Sequence, residues 1–250
     1  EEKRMKRILL LLVMLVVSAY LAIAFTWLNH TPPGQLVEQV KIVVEDSART
    51  CFITPTEATA LLKRNRLYPM GKNTDSIRCK AIEEALEKNT FIDDAECYKT
   101  PAGNLCIYIK HRPPILRVMP ATGLNYYIDD KGRSMPGGGH AAHLPVATGS
   151  IDKAMAEGPL YQLALLLNQD EFWKRQVEQI NITPEGEIEL VPQVGDHILF
   201  LGKPVHIEEK LDRIRTFYTK GLSRVGWNKY SRISVEFDNQ VICKRHSTKK

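Results

Sequence analysis

Residues 8–28 read ILLLLVMLVVSAYLAIAFTWL, a run of 21 residues without a charge, broken only by Ser18 and Thr26 among small polar groups. As a helix it spans roughly 30 Å at 1.5 Å per residue, the thickness of a bilayer's hydrocarbon core. Lys3, Arg4, Lys6 and Arg7 precede it, whereas Lys41 is the first residue of that charge after it. A transmembrane helix over 8–28, with residues 1–7 as a cytoplasmic tail, follows from that asymmetry. Tyr20 and Trp27 suit an interfacial aromatic belt. A cleaved signal peptide is the competing reading, because Ala22 and Ala24 have the small-x-small spacing of a cleavage site. Against it, apolar character continues through Phe25, Trp27 and Leu28. The chain starts at Glu1 rather than Met, so the cytoplasmic tail is read as truncated.

Outward from this segment, the charge of the chain resolves into parts. The net charge of +5 over 250 residues suggests a nucleic-acid partner at first sight. Residues 1–7 carry four basic and two acidic groups, residues 244–250 four basic and none acidic, and the body between them a net −1. A nearly neutral body lacks the broad cationic face that phosphate neutralisation requires, so nucleic acid is excluded as a partner. An apolar fraction of 44% is that of a globular chain and excludes disorder and collagen-like architecture.

His30-Thr31-Pro32-Pro33-Gly34 breaks any helix and makes 29–34 a linker. From 35 to 112 the pattern is β-α-α-β-β. Val40, Ile42 and Val44 alternate as in a strand. Thr54-Pro55-Thr56-Glu57 has capping-box spacing with proline at the first helical position, and Ala58, Leu61 and Leu62 form the apolar stripe. A second helix follows Asp75, with Ile77, Ala81, Ile82, Ala85 and Leu86 on one face. Ala95–Thr100 and Asn104–Arg112, joined by Pro101-Ala102-Gly103, read as a hairpin with Leu105, Ile107 and Ile109 on its buried side. Pro113-Pro114 ends the unit. From 113 to 245 short strands dominate: 117–119, 126–129, 146–148, 177–183, 187–191, 198–201, 232–237 and 240–244. Two helices interrupt them, Pro159–Asn168 and His206–Thr219. The fold class is α+β: a transmembrane helix, a small β-α-α-β-β domain, and a larger, mainly antiparallel β domain with helices on one face. Residues 246–250 form a basic tail.

No catalytic signature emerges. Gly137-Gly138-Gly139 lacks the Lys-Ser/Thr of a phosphate loop. His140 and His143 are two ligands without the third and fourth that a zinc site needs. Asp129 and Asp130 before Lys131-Gly132 read as turn chemistry rather than an acid/base pair. No cofactor and no metal site is assigned, and the chain is read as non-enzymatic. Five cysteines, Cys51, Cys79, Cys97, Cys106 and Cys243, leave at least one thiol unpaired. Cys97 and Cys106 on facing hairpin strands permit a bridge, while burial as free thiols explains Cys97 and Cys243 equally well.

The order of motifs resembles the FtsQ/DivIB family of single-pass bacterial cell-division proteins. Tyr126-Tyr127-Ile128-Asp129-Asp130-Lys131-Gly132 followed by Met135-Pro136 is similar to that family's aromatic strand and acidic turn. Leu144-Pro145-Val146-Ala147-Thr148-Gly149, Ile198-Leu199-Phe200-Leu201-Gly202 with Lys210-Leu211, and the closing strands Ile233–Phe237 and Gln240–Lys244 complete the resemblance. His111 and Ser234-Val235-Glu236 depart from the usual residues, as does the loop Gly137–His143. The resemblance implies that 35–112 is a POTRA domain and 113–245 the β domain of a divisome scaffold in the inner membrane, with extracytoplasmic domains concentrated at the septum. It implies FtsB/FtsL-like coiled-coil partners on the last strand. There Gln240, Val241, Ile242, Cys243 and Lys244 offer main-chain hydrogen bonds, and Lys210 and Arg213 meet acidic partner residues. Further divisome proteins would meet the POTRA domain, and lipid would surround 8–28. From the residues alone, Lys244, Arg245, Lys249 and Lys250 read as charges that protect an edge. Two other classes stay open: a POTRA-containing envelope transport component, set back because no series of barrel strands follows, and an anchored metal-dependent enzyme resting on His140 and His143.

Overall fold

A computed structural model describes residues 2–28, 34–45, 52–137 and 144–246. The triglycine loop with His140 and His143, Cys51, most of the linker 29–34 and most of the tail 246–250 lie outside the described residues. The chain divides into two compact units, one of Glu1–Ser47 and Ile53–His111, the other of Ala48–Phe52 and Arg112–Lys250.

Helix α1 (Glu2–Leu28) is 27 residues long, and the described side chains from Leu11 to Phe25 are almost all exposed. Among the described residues, no helix is long and apolar enough to cross a membrane.

The first unit then builds a three-stranded sheet of β1 (Val40–Val44), β2 (Ile92–Lys99) and β3 (Leu105–His111) in the order β1-β3-β2. β1 runs parallel to β3 and β2 antiparallel to it. Helices α2 (Pro55–Arg64) and α3 (Cys79–Glu87) supply its core, with Leu62, Ile82 and Leu86 meeting Leu105, Ile107 and Ile109. The α2 start is the capping box its sequence announces. Thr54 Oγ1 accepts from the Glu57 N–H at 3.2 Å, and Glu57 Oε2 accepts from the Thr54 N–H at 2.8 Å. α3 begins at Cys79 rather than directly after Asp75, because Thr74–Ser76 closes as a 3-10 turn under the Asn73 cap. Gly103 takes φ +74 in the hairpin turn, and a Cβ there would run into Gln35. The hairpin register corrects one expectation. Cys97 faces Ile107 and Cys106 faces Tyr98, so the two cysteines project from opposite faces and no bridge joins them.

Among the described residues, the second unit is built on a nine-stranded sheet. Its strands are β4 (Pro114–Pro120), β5 (Tyr126–Asp129), β6 (Ser134–Pro136), β7 (Val146–Gly149), β8 (Val177–Ile182), β9 (Ile188–Pro192), β10 (Ile198–Gly202), β11 (Tyr230–Ser234) and β12 (Ile242–Arg245). They lie in the order β12-β11-β10-β9-β8-β7-β4-β5-β6. Most neighbours are antiparallel, but β4 with β7, β7 with β8, and β10 with β11 are parallel. Parallel neighbours need a crossover, and the last two of these pairs use helices for it. The first crossover holds α4 (Lys153–Met155), a π turn (Ala156–Leu160), α5 (Tyr161–Gln169) and α6 (Glu171–Gln176). The π turn contains Pro159, whose missing N–H breaks the helical ladder. α6, absent from the sequence reading, starts where Asp170 caps the Phe172 and Trp173 N–H groups. The second crossover holds α7 (Ile207–Phe217), a π turn (Tyr218–Leu222) and α8 (Ser223–Val225). Leu160, Leu163 and Leu167 from the first and Leu211, Ile214 and Tyr218 from the second enter one core with Leu190, Leu199 and Ile233 of the sheet.

At the β5–β6 turn, Asp129 is fully buried. Its Oδ1 accepts from the Lys131 and Arg133 N–H groups at 3.0 and 2.7 Å. Its Oδ2 accepts from Arg112 Nε and Nη2 at 3.0 and 2.8 Å and from Arg133 Nε at 2.8 Å. Burial alone would raise the carboxyl pKa, yet the hydrogen bonds from Arg133 and Arg112 outweigh it and hold the group below its ordinary value. The expected cost of Asp129→Ala is about 3–5 kcal/mol in denaturant unfolding, because it removes two hydrogen bonds and a counter-charge from the buried Arg112 guanidinium. A carboxylate with a lowered folded pKa stabilises fully above its unfolded value and loses that contribution as pH falls through the folded one. The stability gap between the native chain and Asp129→Asn is therefore expected to narrow below about pH 4.

Candidate functional site

The sheet has two ends. β6, three residues long, lies at one, and β12 forms the other, paired among the described residues to β11 alone. Ile242, Cys243 and Lys244 face Ser234, Ile233 and Arg232 of β11. Ile242 and Lys244 are exposed, while Cys243 is half-buried and packs on the core, where burial pushes its thiol pKa up. Gln240 and Val241 precede the strand rather than belonging to it, because the turn after β11 runs longer than Asp238-Asn239. Asn239 takes φ +60, a left-handed conformation that asparagine tolerates better than most side chains.

α7 flanks this edge. Arg213 Nη1 donates to the Phe237 carbonyl at 2.9 Å and Nη2 to the Val235 carbonyl at 3.3 Å, and Asp238 Oδ1 lies 3.8 Å from Nη1. One guanidinium thus fixes the chain between β11 and β12. Beside it opens a groove of about 610 Å³, lined among others by Arg213, Phe217, Lys220, Gln240 and Val241. Arg213, Phe217 and Lys220 fall at i, i+4 and i+7, on one helical face. The Phe217 ring meets Tyr230 at 6.2 Å between centroids. Gly221 makes room for that ring, since a Cβ would approach its edge to 2.9 Å. The groove therefore has apolar walls from Phe217 and Val241 and cations at its rim, with Phe237 and Ile242 exposed nearby.

Of the residues expected to meet a partner, Gln240 and Val241 line the groove, and Ile242, Cys243 and Lys244 form the edge. Arg213 sits between the two. Lys210 is a correction: only 2% of it is exposed, and its ammonium donates to the Lys203 carbonyl at 2.9 Å. One turn before Arg213, it faces the β10–α7 connection instead of solvent, and burial lowers its pKa. Phe217 and Lys220 were not singled out from the sequence, although their spacing from Arg213 carries the signal. Among the described residues, no group of three or more His, Cys, Asp or Glu side chains is placed to hold a metal ion.

The described residues thus form a small α+β unit followed by a unit built on a large mixed sheet, one end of which is flanked by a helix. Residues 35–110 match a family model described as a POTRA-like domain, and residues 113–244 match one described as FtsQ/DivIB, C-terminal related. The second match covers more than half of the chain, and the protein belongs to the FtsQ/DivIB family, whose domains point to a scaffold role in cell division. Comparison with curated proteins gives no match.

Arg213→Ala removes two charge-assisted bonds to backbone carbonyls, and such bonds contribute about 1.5–3 kcal/mol each at most. The expected result is faster hydrogen exchange at the amides of Glu236–Val241, with core strands β8 and β9 keeping their protection.

Proposed function

We propose that this protein is a non-enzymatic, membrane-anchored scaffold of the bacterial divisome that links and regulates septal cell-wall synthesis proteins through extracytoplasmic contacts. The observation that carries the reading is the unpaired β12 edge beside an apolar groove with a cationic rim. An unpaired strand offers a row of N–H and C=O groups to an incoming strand. The groove walls, Phe217 and Val241, would take apolar side chains of that segment, while Arg213, Lys220 and Lys244 would meet acidic ones. FtsB/FtsL-like coiled-coil proteins are the partners that the family resemblance suggests. Lys244 and Arg245 serve both purposes on this reading: they repel other copies of the same cationic edge and attract an acidic strand.

Anchoring rests on the apolar run 8–28 within α1. The part of that helix with described side chains, Leu11–Phe25, is shorter than a bilayer span, and the whole run supplies the remaining length. Exposed Leu, Val and Ile side chains along it are costly in water and favourable in lipid. The basic residues before it keep the amino end cytoplasmic, which carries both folded units to the other side.

Val241→Pro deletes a backbone donor at the entry to the edge strand and stiffens the chain there. Co-purification with an FtsB/FtsL-like pair is expected to fall at least tenfold, with the circular dichroism of the variant unchanged. Undiminished capture by a folded Val241→Pro protein would rule out strand addition. A fluorescent fusion of the full chain is expected at midcell in dividing cells, and an even envelope signal throughout division would remove the divisome reading itself.

A further inference from the structure

Cys79 and Cys97 stand apart from the other described cysteines in their geometry. Cys79 opens α3 and Cys97 lies on β2, which packs against that helix; Cys97 belongs to the apolar core of the first unit and Cys79 packs against that core. Four residues along α3 from Cys79, on the same helical face, Glu83 Oε1 accepts the Cys97 N–H at 2.8 Å. That bond pins β2 against the face of α3 that carries Cys79. Glu83, one helical turn after Cys79, thus brings the Cys97 backbone against this face of α3, and Cys79 is among the groups close enough to act on the Cys97 thiol. Cys106 projects from the opposite side of the sheet, beside the stacked rings of Tyr98 and Tyr108, whose centroids are 5.9 Å apart. It has no path to either member of the pair.

We propose that Cys79 and Cys97 form a redox-active thiol pair that closes to a disulfide, locking α3 to β2. The oxidant is a small-molecule disulfide such as oxidised glutathione. Cys79 is half-buried and the more accessible of the two, whereas Cys97 is buried. The Cys79 thiolate attacks one sulfur of the oxidant and expels the first small thiol. Cys97 gives up its proton to solvent, attacks Cys79 Sγ in the mixed disulfide, and expels the second. One S–S bond forms in the protein and one breaks in the oxidant, so two electrons pass from the cysteines to the two released thiols. Burial, with Cys79 and Glu83 beside it, pushes the Cys97 thiol pKa up, which makes the second attack the slow one. The inference is independent of the divisome reading, because it concerns the interior of the first unit alone.

Full-length protein in detergent, exposed to oxidised glutathione and digested with trypsin without reductant, tests the pair. Trypsin cuts after Arg78, Lys80, Lys88 and Lys99, so the bridge would yield Cys79-Lys80 joined to the peptide Asn89–Lys99. That species is expected in the native protein and in Cys106→Ser, lost in Cys79→Ser, and abolished by dithiothreitol. Recovery of Cys79 and Cys97 as separately alkylated thiols overturns the proposal, as does a bridge from either of them to Cys51, Cys106 or Cys243. Closing a loop of about 18 residues is expected to raise the melting temperature of the first unit by roughly 10 °C or more. An oxidised form that melts at or below the reduced one would show that the sulfurs are not poised to join.

Discussion

Every N–H and C=O in a sheet needs a partner, and a sheet that does not close on itself leaves two rows of them unpaired. The second unit treats its two ends differently. At one, β6 is only three residues long and finishes in Pro136, so little backbone is left to template another strand. At the other, β12 carries four residues, ends in Lys244 and Arg245, and has a groove alongside. Short length and proline blunt an edge, whereas charge filters what approaches it. The asymmetry leaves the domain one short edge that ends in proline and one longer edge that carries charge.

Chain direction explains why the groove lies where it does. β10 and β11 are parallel, so the chain must cross from the end of one to the start of the other, and α7 makes that crossing. An antiparallel hairpin at this place would have needed only a short turn and would have left no helix near the final strand. Lys210 holds the entry to α7 through the Lys203 carbonyl, and Arg213, one turn later, holds the Val235 and Phe237 carbonyls. Two cations on one helix thus secure its start and the edge hairpin. Only the second of them stays close to the open edge.

Much of this was legible in the residues. Alternation found β1 and β3, Thr54 to Glu57 announced its capping box, and the residues up to Gly132 announced the turn after β5, although the three-residue β6 that follows was not foreseen. Strand direction was not legible, because a run such as Val146-Ala147-Thr148 reads the same whether its neighbour is parallel or antiparallel. α6 was missed because six residues give too short a window for helical periodicity, although Asp170-Glu171 is a start signal. Lys210 shows a different gap. A lysine at a helical position reads as solvent-facing by default, and only the fold places Lys203 O within reach of its ammonium. The hairpin cysteines, for which the residues left a bridge and free thiols both open, stand one residue out of register with each other, and with a period of two that puts them on opposite faces.

Arg112 carries the logic of the chain from one unit to the next. It follows the last strand of the first unit, yet its guanidinium is buried with Asp129, deep in the second. Five N–H donors hold the buried carboxylate, and losing the Arg112 guanidinium among them would cost stability, because a buried charge needs its partners. The turn that presents β5 to β6 is therefore tied to the residue that begins the second unit. Disturbing that residue would unsettle β5 and β4 first, and β12, eight positions from β6 in strand order, last. The edge on which partner binding is proposed lies at the opposite end of the strand order from β6, the strand that this turn leads into.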